Sequence, residues 1–179
     1  NSYVAKSAFL ILVVIVFVYM LRPCIALIGY LFSPNSSPFL VNGVIDGNVG
    51  NLVIPQDPNQ TNAVPIIRSV NDDVGIGFTW SAWLFIKQKE LDTTSAMRHV
   101  FNKGSASMAN TPTAGIMSPN NGPGLYLKPD YSGLTVVMST FGNTTPATVD
   151  VDNIPINKWF NVIIRVENTV LDVFVNGDL

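Results

Sequence analysis

The stretch GFTWSAWLFIK, residues 77–87, decides the fold class, because apolar side chains occupy both of its alternating sets of positions. Successive side chains of a β-strand point to opposite faces of the sheet. Phe78 and Trp80 therefore share one face, and Trp83 and Phe85 share the other. Since both faces carry bulky apolar groups, the pattern predicts a strand that is covered on both sides, in the middle of a sheet.

A second alternating stretch, WFNVIIRVENTVLDVFV at residues 159–175, predicts two strands joined by a tight turn near Glu167 and Asn168. No helical period is long enough for a βαβ unit, so the expected fold class is an all-β antiparallel β-sandwich preceded by one transmembrane α-helix. Shorter runs of the same kind predict further strands at residues 39–45, 66–70, 99–103, 124–128 and 134–141.

The N-terminal segment carries an uninterrupted apolar core of 14 residues, shorter than the roughly 20 that a spanning helix needs. A second apolar run, residues 24–32, follows Arg22 and Pro23 and completes the required length. Pro23 lacks an N–H group and is expected to kink or end the first helix. The predicted membrane residues are Ala8, Phe9, Leu10, Ile11, Leu12, Val13, Val14, Ile15, Val16, Phe17, Val18, Tyr19, Met20 and Leu21.

A cleaved signal peptide has a similar pattern, a basic residue such as Lys6 before a short apolar core. Because the segment is part of the chain, we favour a retained anchor and a single-pass membrane protein. The predicted organisation is an anchor at 1–32, a linker at 33–38 and a sandwich at 39–179. We also expect the sandwich to continue beyond Leu179, because the hairpin signal Asn176-Gly177 has no returning strand after it.

Several motifs after residue 78 resemble the laminin G-like, concanavalin A-like lectin/glucanase superfamily. They are FTWSAWLFI, HVFNKGS, GLYLK and INKWFNVIIRVENTVLDVFVNGDL, and they occur in the order expected for that family. The loop at 105–123 has no counterpart. The resemblance implies a jelly-roll sandwich that binds glycans or proteins. A membrane-anchored domain of this type is also similar to virion proteins of large DNA viruses.

The acidic residues do not form the catalytic set of a glucanase. Retaining enzymes on this fold need two carboxylates about 5–5.5 Å apart, placed by an E-x-D-x-x-E strand motif. Glu90 and Asp92 supply its first half, but position 95 is serine, and Glu167 is the second of only two glutamates. We therefore expect no enzymatic activity and interpret Glu90 as a solvated loop residue.

The candidates for metal and ligand binding are few. His99 is the single histidine and Cys24 the single cysteine, so no zinc set exists. Asp72 and Asp73 are the best oxygen cluster for calcium, the one cofactor considered, although we favour a solvated acidic turn there. Trp83 is a candidate for stacking on a sugar, although its position in a strand favours packing between the two sheets.

The charge balance limits the partners. From residue 33 onward 8 basic residues face 12 acidic ones, a balance of −4, and no nucleic-acid partner is expected. The leading hypothesis is a non-catalytic structural module whose partners are the lipid bilayer and neighbouring proteins of a larger assembly. In a virion it would be a minor capsid protein of the internal membrane beneath the capsid. The alternative is a membrane-anchored lectin-like adhesion protein with a glycan partner.

Overall fold

A computed structural model describes residues 2–33, 35–73, 75–87, 95–108 and 115–179, and it describes only the backbone of residues 70–72. The chain divides into two compact units, Asn1–Arg68 and Ser69–Leu179. The first unit holds the helix, and the second holds the strands.

The helix α1 runs from Tyr3 to Leu31 without interruption at Pro23. Its 29 residues, at 1.5 Å each, give a length of about 43 Å, against roughly 30 Å for the hydrocarbon core of a bilayer. None of its side chains is buried, and apolar residues lie on all of its sides. Among the described residues, α1 is the helix that is long and apolar enough to cross a membrane. Pro23 therefore does not end the helix, which extends past the predicted 14-residue core.

The described residues between the helix and residue 70 form turns and extended segments, without helix or strand. Two of the turns are closed by an aspartate. The Asp46 carboxylate accepts a hydrogen bond from the Asn48 N–H at 3.0 Å, and Asp57 accepts one from the Asn59 N–H at 3.0 Å. The predicted strand at 39–45 is therefore wrong. The first strand begins at Val70, the last residue of the run predicted at 66–70.

Ten strands follow among the described residues, and every pairing among them is antiparallel. One four-stranded sheet has the order β1-β2-β9-β10, a second has the order β3-β6-β7-β8, and β4 pairs with β5. The strands are β1 Val70–Asp72, β2 Gly75–Phe85, β3 Arg98–Gly104, β4 Ser107–Met108, β5 Met117–Ser118, β6 Asn121–Leu127, β7 Gly133–Met138, β8 Ala147–Asp152, β9 Trp159–Asn168 and β10 Val170–Val175.

The two four-stranded sheets share one hydrophobic core, as the sheets of a β-sandwich do. Phe160, Val162 and Ile164 of β9 cluster with Leu125 of β6 and Val136 of β7. All five side chains are at most 1% exposed. Burying each contributes about 1.5–3 kcal/mol relative to an exposed position.

An aromatic contact also joins the two sheets. The rings of Trp80 on β2 and Phe101 on β3 stack with their centroids 5.6 Å apart and their planes 16° apart. The even-numbered face of β2 therefore points into the core, as the alternation predicted. The odd-numbered face does not, because Thr79, Ser81 and Trp83 are exposed. The expectation that β2 is covered on both sides is wrong.

Asparagines with positive φ make the two predicted reversals. Asn168 has φ 58° at the turn between β9 and β10, close to the predicted position. Asn176 and Gly177 have φ 52° and 93°, the backbone of a type I′ turn, and Val175 pairs with Asp178 across them.

Candidate functional site

Trp83 lies on the outer face of the sheet β1-β2-β9-β10, with 66% of its surface exposed. Its strand neighbours Ala82 and Leu84 point to the other face and are half-buried. The packing of Trp83 between the two sheets, which the sequence favoured, is therefore wrong. Its role as a stacking residue stays a prediction.

Two further aromatic side chains lie beside Trp83. Phe85 is two residues along β2 and so shares its face, and it pairs directly with Trp159 of β9. The two rings are in contact, with centroids 5.4 Å apart and planes tilted by 57°. Phe85 is 40% exposed and Trp159 is 52% exposed. We call Trp83, Phe85 and Trp159 the aromatic face.

The register of β2 and β9 fixes the size of the aromatic face. Trp83 pairs with Asn161, so Trp159 is its diagonal neighbour, and such neighbours lie about 7–8 Å apart. With about 150–250 Å² per aromatic side chain, the exposed fractions correspond to roughly 350 Å² of contiguous apolar surface. This area is within the range of about 300–600 Å² for the largest patch of a monomer, which is often functional.

Polar groups beside Trp83 are fixed by hydrogen bonds to one another. The Asn161 side-chain amide donates to Ser81 Oγ at 3.1 Å and to the Ala82 carbonyl at 3.1 Å. The Asn161 backbone N–H donates to Asn176 Oδ1 at 3.0 Å. Both amide protons of Asn161 therefore have partners within the protein.

Two exposed basic residues are close in the chain to the aromatic end of this sheet. Lys87 follows β2 and Lys158 immediately precedes β9, and both are exposed. A hydrogen bond of 2.8 Å from the Asn157 N–H to the Ile86 carbonyl holds the two segments together. Phe85 and Trp159 therefore have one lysine close to each of them in the chain.

The other end of the same outer face carries paired charges. Arg165 Nη2 lies 2.6 Å from the Asp172 carboxylate, and Arg165 Nη1 lies 3.6 Å from Glu167. The hydrogen bond to Asp172, with the attraction of both carboxylates, raises the pKa of Arg165 further above its usual value. Glu167, one of the two glutamates considered for catalysis, thus takes part in a surface ion pair.

The outer face of the second four-stranded sheet is covered around Tyr126. Tyr126, on β6, is fully buried, and its hydroxyl accepts a hydrogen bond from the Met117 N–H at 3.1 Å and donates one to Asn121 Oδ1. Asn121 in turn donates to the Met117 carbonyl at 2.7 Å. Burial raises the pKa of the Tyr126 phenol above its usual 10.0. The residues around Met117 therefore cover Tyr126 on this sheet, whereas the aromatic face on the other sheet stays exposed.

The structure does not test the remaining predicted site residues. Asp73 is exposed, the side chain of Asp72 is outside the described part, and Glu90 and Asp92 lie outside the described residues. No group of three potential metal ligands occurs among the side chains that are described. A His99 ring nitrogen is 2.8 Å from Asn102 Oδ1. The calcium site at Asp72 and Asp73 stays a prediction.

Sequence reasoning named Trp83 but not Phe85 or Trp159 as its neighbours on one surface. The alternation of both strands contains the signal, because Trp83 and Phe85 share a parity. Alternation alone does not give the register that pairs Phe85 with Trp159.

Comparison of the chain with known protein families, curated proteins and solved structures found no match.

Proposed function

We propose that this chain is a non-catalytic interaction module, held at a membrane by α1, whose β-rich unit acts by contact with other molecules of a larger assembly. The observation that carries the proposal is the exposed aromatic face on a chain with a helix of membrane-spanning length and composition. Large apolar surfaces that stay exposed on a folded unit mark sites of interaction.

A finer proposal concerns the family and the setting. The β-rich unit would be a laminin G-like jelly roll, and the chain a minor capsid protein that links the internal membrane of a large DNA virus to its shell. The motifs between residues 78 and 179 support the first part, as do two four-stranded antiparallel sheets around one core. The analogy with anchored virion proteins supports the second part.

A lectin-like adhesion protein is the second candidate, because exposed tryptophans are the side chains that stack on sugars. Trp83 and Trp159 are both more than half exposed on the same surface. Calcium held by Asp72 and Asp73 would then belong to the glycan site. The proposed non-catalytic module needs neither calcium nor a glycan.

Glycan binding separates the two candidates. The full chain, reconstituted in nanodiscs, would be applied to a glycan array with calcium and with a chelator. We expect no glycan signal above that of empty nanodiscs. A glycan signal that needs calcium and disappears in Trp83→Ala, but persists in Phe141→Ala, would favour the lectin-like protein over the non-catalytic module. Phe141 is a matched control because it is a fully exposed aromatic in the loop between β7 and β8.

Cross-linking tests the role in an assembly. A lysine-reactive cross-linker would be applied to intact membranes or particles that contain the chain, and the linked peptides would be identified by mass spectrometry. Lys103, exposed on β3, reports the neighbours of the β-rich unit. We expect one or a few protein partners linked reproducibly to Lys103. Links spread over all abundant proteins would contradict a defined contact.

A further inference from the structure

The aromatic face lies at one end of a sheet, and two exposed lysines lie close to it in the chain. Phe85 and Trp159 pair directly across β2 and β9, and Trp83 is their neighbour on the same side. Lys87 follows Phe85 by two residues, and Lys158 is adjacent to Trp159. The paired charges of Arg165, which include two carboxylates, lie toward the opposite end of the two strands.

We propose that the aromatic face docks on the headgroup region of an anionic phospholipid bilayer. Tryptophan prefers the membrane–water interface, because its ring has an apolar body and a polar N–H group. Lysine places its stem along the apolar surface and its ammonium group among the phosphates. The surface thus offers apolar rings for the acyl boundary. The two lysines offer positive charge for the headgroups, which the exposed Asp178 at the same end of the sheet reduces. This inference rests on the proposed function, because α1 is what keeps the β-rich unit near a bilayer.

The geometry favours a lipid surface over a sugar. The planes of Phe85 and Trp159 are tilted by 57°, so the pair does not offer a flat platform for a sugar ring. The amide protons of Asn161, the polar group closest to Trp83 in the register, already bind Ser81 and Ala82. A lipid boundary needs neither a flat platform nor a fixed array of hydrogen-bond donors.

Because α1 tethers the β-rich unit to the membrane, a weak contact with the bilayer is sufficient for docking. A unit linked to a membrane helix meets the bilayer as an intramolecular partner, at an effective concentration set by the length and stiffness of the connecting segment. Each lysine near an anionic surface contributes a factor of about five in the ratio of docked to undocked molecules. A few aromatic and basic side chains are therefore enough to bias the unit toward the bilayer.

The three tryptophans of the chain provide the test, because Trp80 stacks on Phe101 in the core while Trp83 and Trp159 are exposed. The full chain would be reconstituted in vesicles with brominated acyl chains, which quench tryptophan fluorescence on contact. One set would contain phosphatidylserine and phosphatidylcholine, and the other phosphatidylcholine alone. We expect the anionic vesicles to quench the tryptophan fluorescence of the wild type. In the double variant Trp83→Phe with Trp159→Phe, which keeps only Trp80, we expect little quenching.

Charge substitutions test the basic part of the surface. Lys158→Gln should lower the docked-to-undocked ratio in anionic vesicles about five-fold, and adding Lys87→Gln should bring the loss to about thirty-fold. Lys103→Gln, which removes an exposed lysine from β3 of the other sheet, should leave the ratio unchanged. An equal loss with Lys103→Gln would overturn the assignment to this surface.

The outcomes separate this inference from the proposed function. Equal quenching of the wild type in neutral and anionic vesicles would overturn the anionic-lipid contact. Absence of quenching while the chain resists extraction by alkaline carbonate would also overturn it, and would leave the anchored module intact. A fluorescence change on adding soluble oligosaccharide, without bromolipid quenching, would assign the surface to a sugar. Extraction of the wild-type chain by carbonate would instead refute the membrane anchor itself.

Discussion

Replacement of Phe160 by alanine tests whether the two four-stranded sheets share one core. The side chain is fully buried on β9, in the same core cluster as Leu125 and Val136 of the other sheet. A buried Phe→Ala change removes the transfer free energy of the ring and leaves a cavity, which together cost about 3–5 kcal/mol. We expect Phe160→Ala to lower the free energy of unfolding of the β-rich unit by that amount.

Phe85→Ala is the matched control, because it removes the same ring from the neighbouring strand of the same sheet. Phe85 lies on the outer face and is 40% exposed, so only part of its apolar surface is lost from a buried setting. The expected loss is about 1–2 kcal/mol, which includes its contact with Trp159.

Urea unfolding of the full chain in detergent micelles, followed by circular dichroism, measures both variants. With a urea dependence of about 2 kcal/mol per molar, Phe160→Ala should lower the midpoint by about 2 M and Phe85→Ala by less than about 1 M. Equal shifts in the two variants would refute the placement of Phe160 between the sheets, since they would give both faces of the sheet the same environment.

Two further perturbations address the helix and the covered sheet. Two arginines at the centre of α1, Val14→Arg with Val16→Arg, oppose membrane insertion by about 5–7 kcal/mol. This double variant should become extractable by alkaline carbonate. The control with two arginines outside the helix, Ser36→Arg with Ser37→Arg, should remain in the membrane. Tyr126→Phe removes the hydroxyl that binds Met117 and Asn121 and should lower the free energy of unfolding by about 1–3 kcal/mol at pH 7. The folded state holds the Tyr126 proton to a higher pH than the unfolded state, because burial raises the pKa of the phenol. The wild type therefore loses this stabilisation as pH rises above 10.0. The difference in urea midpoint between the wild type and Tyr126→Phe should become smaller over that pH range.

Much of the β-rich unit was predictable because its strands alternate strongly. The strands predicted at 77–87, 99–103, 124–128 and 159–175 all form within a few residues of their expected bounds. These runs are rich in aromatic and β-branched residues, and the burial of every second side chain maintains the alternation.

The strand β8, Ala147–Asp152, was missed although valine and aspartate alternate in it. Aspartate is depleted in strands, so the pattern resembles a polar loop. Asp150 and Asp152 lie 3.8 Å and 2.7 Å from Lys128 Nζ, and Thr135 donates to Asp150 at 2.6 Å. Partners from distant parts of the chain therefore hold the carboxylates, and the local sequence of β8 does not reveal those partners.

The false strand at 39–45 has the opposite cause. The sequence FLVNGVI carries strand-forming residues, but a strand forms only where another strand pairs with it. Residues 39–45 belong to the first compact unit, whose described part contains no strand. Gly43 there has φ 97°, a conformation outside the extended region of a β-strand. Local propensity thus predicted a strand that tertiary pairing does not supply.

The position of Trp83 follows from a property of sandwiches that alternation does not encode. Each sheet has one face in the shared core, and whether its other face is buried depends on what the connecting segments cover. The segment around Met117 covers Tyr126 on one sheet, whereas Trp83, Phe85 and Trp159 stay exposed on the other. Two apolar faces on β2 were therefore correctly recognised, but only one is buried by the described part of the chain. The other face exposes aromatic rings, so contact with a partner there excludes water from apolar surface, which is why the bilayer contact is proposed at this face.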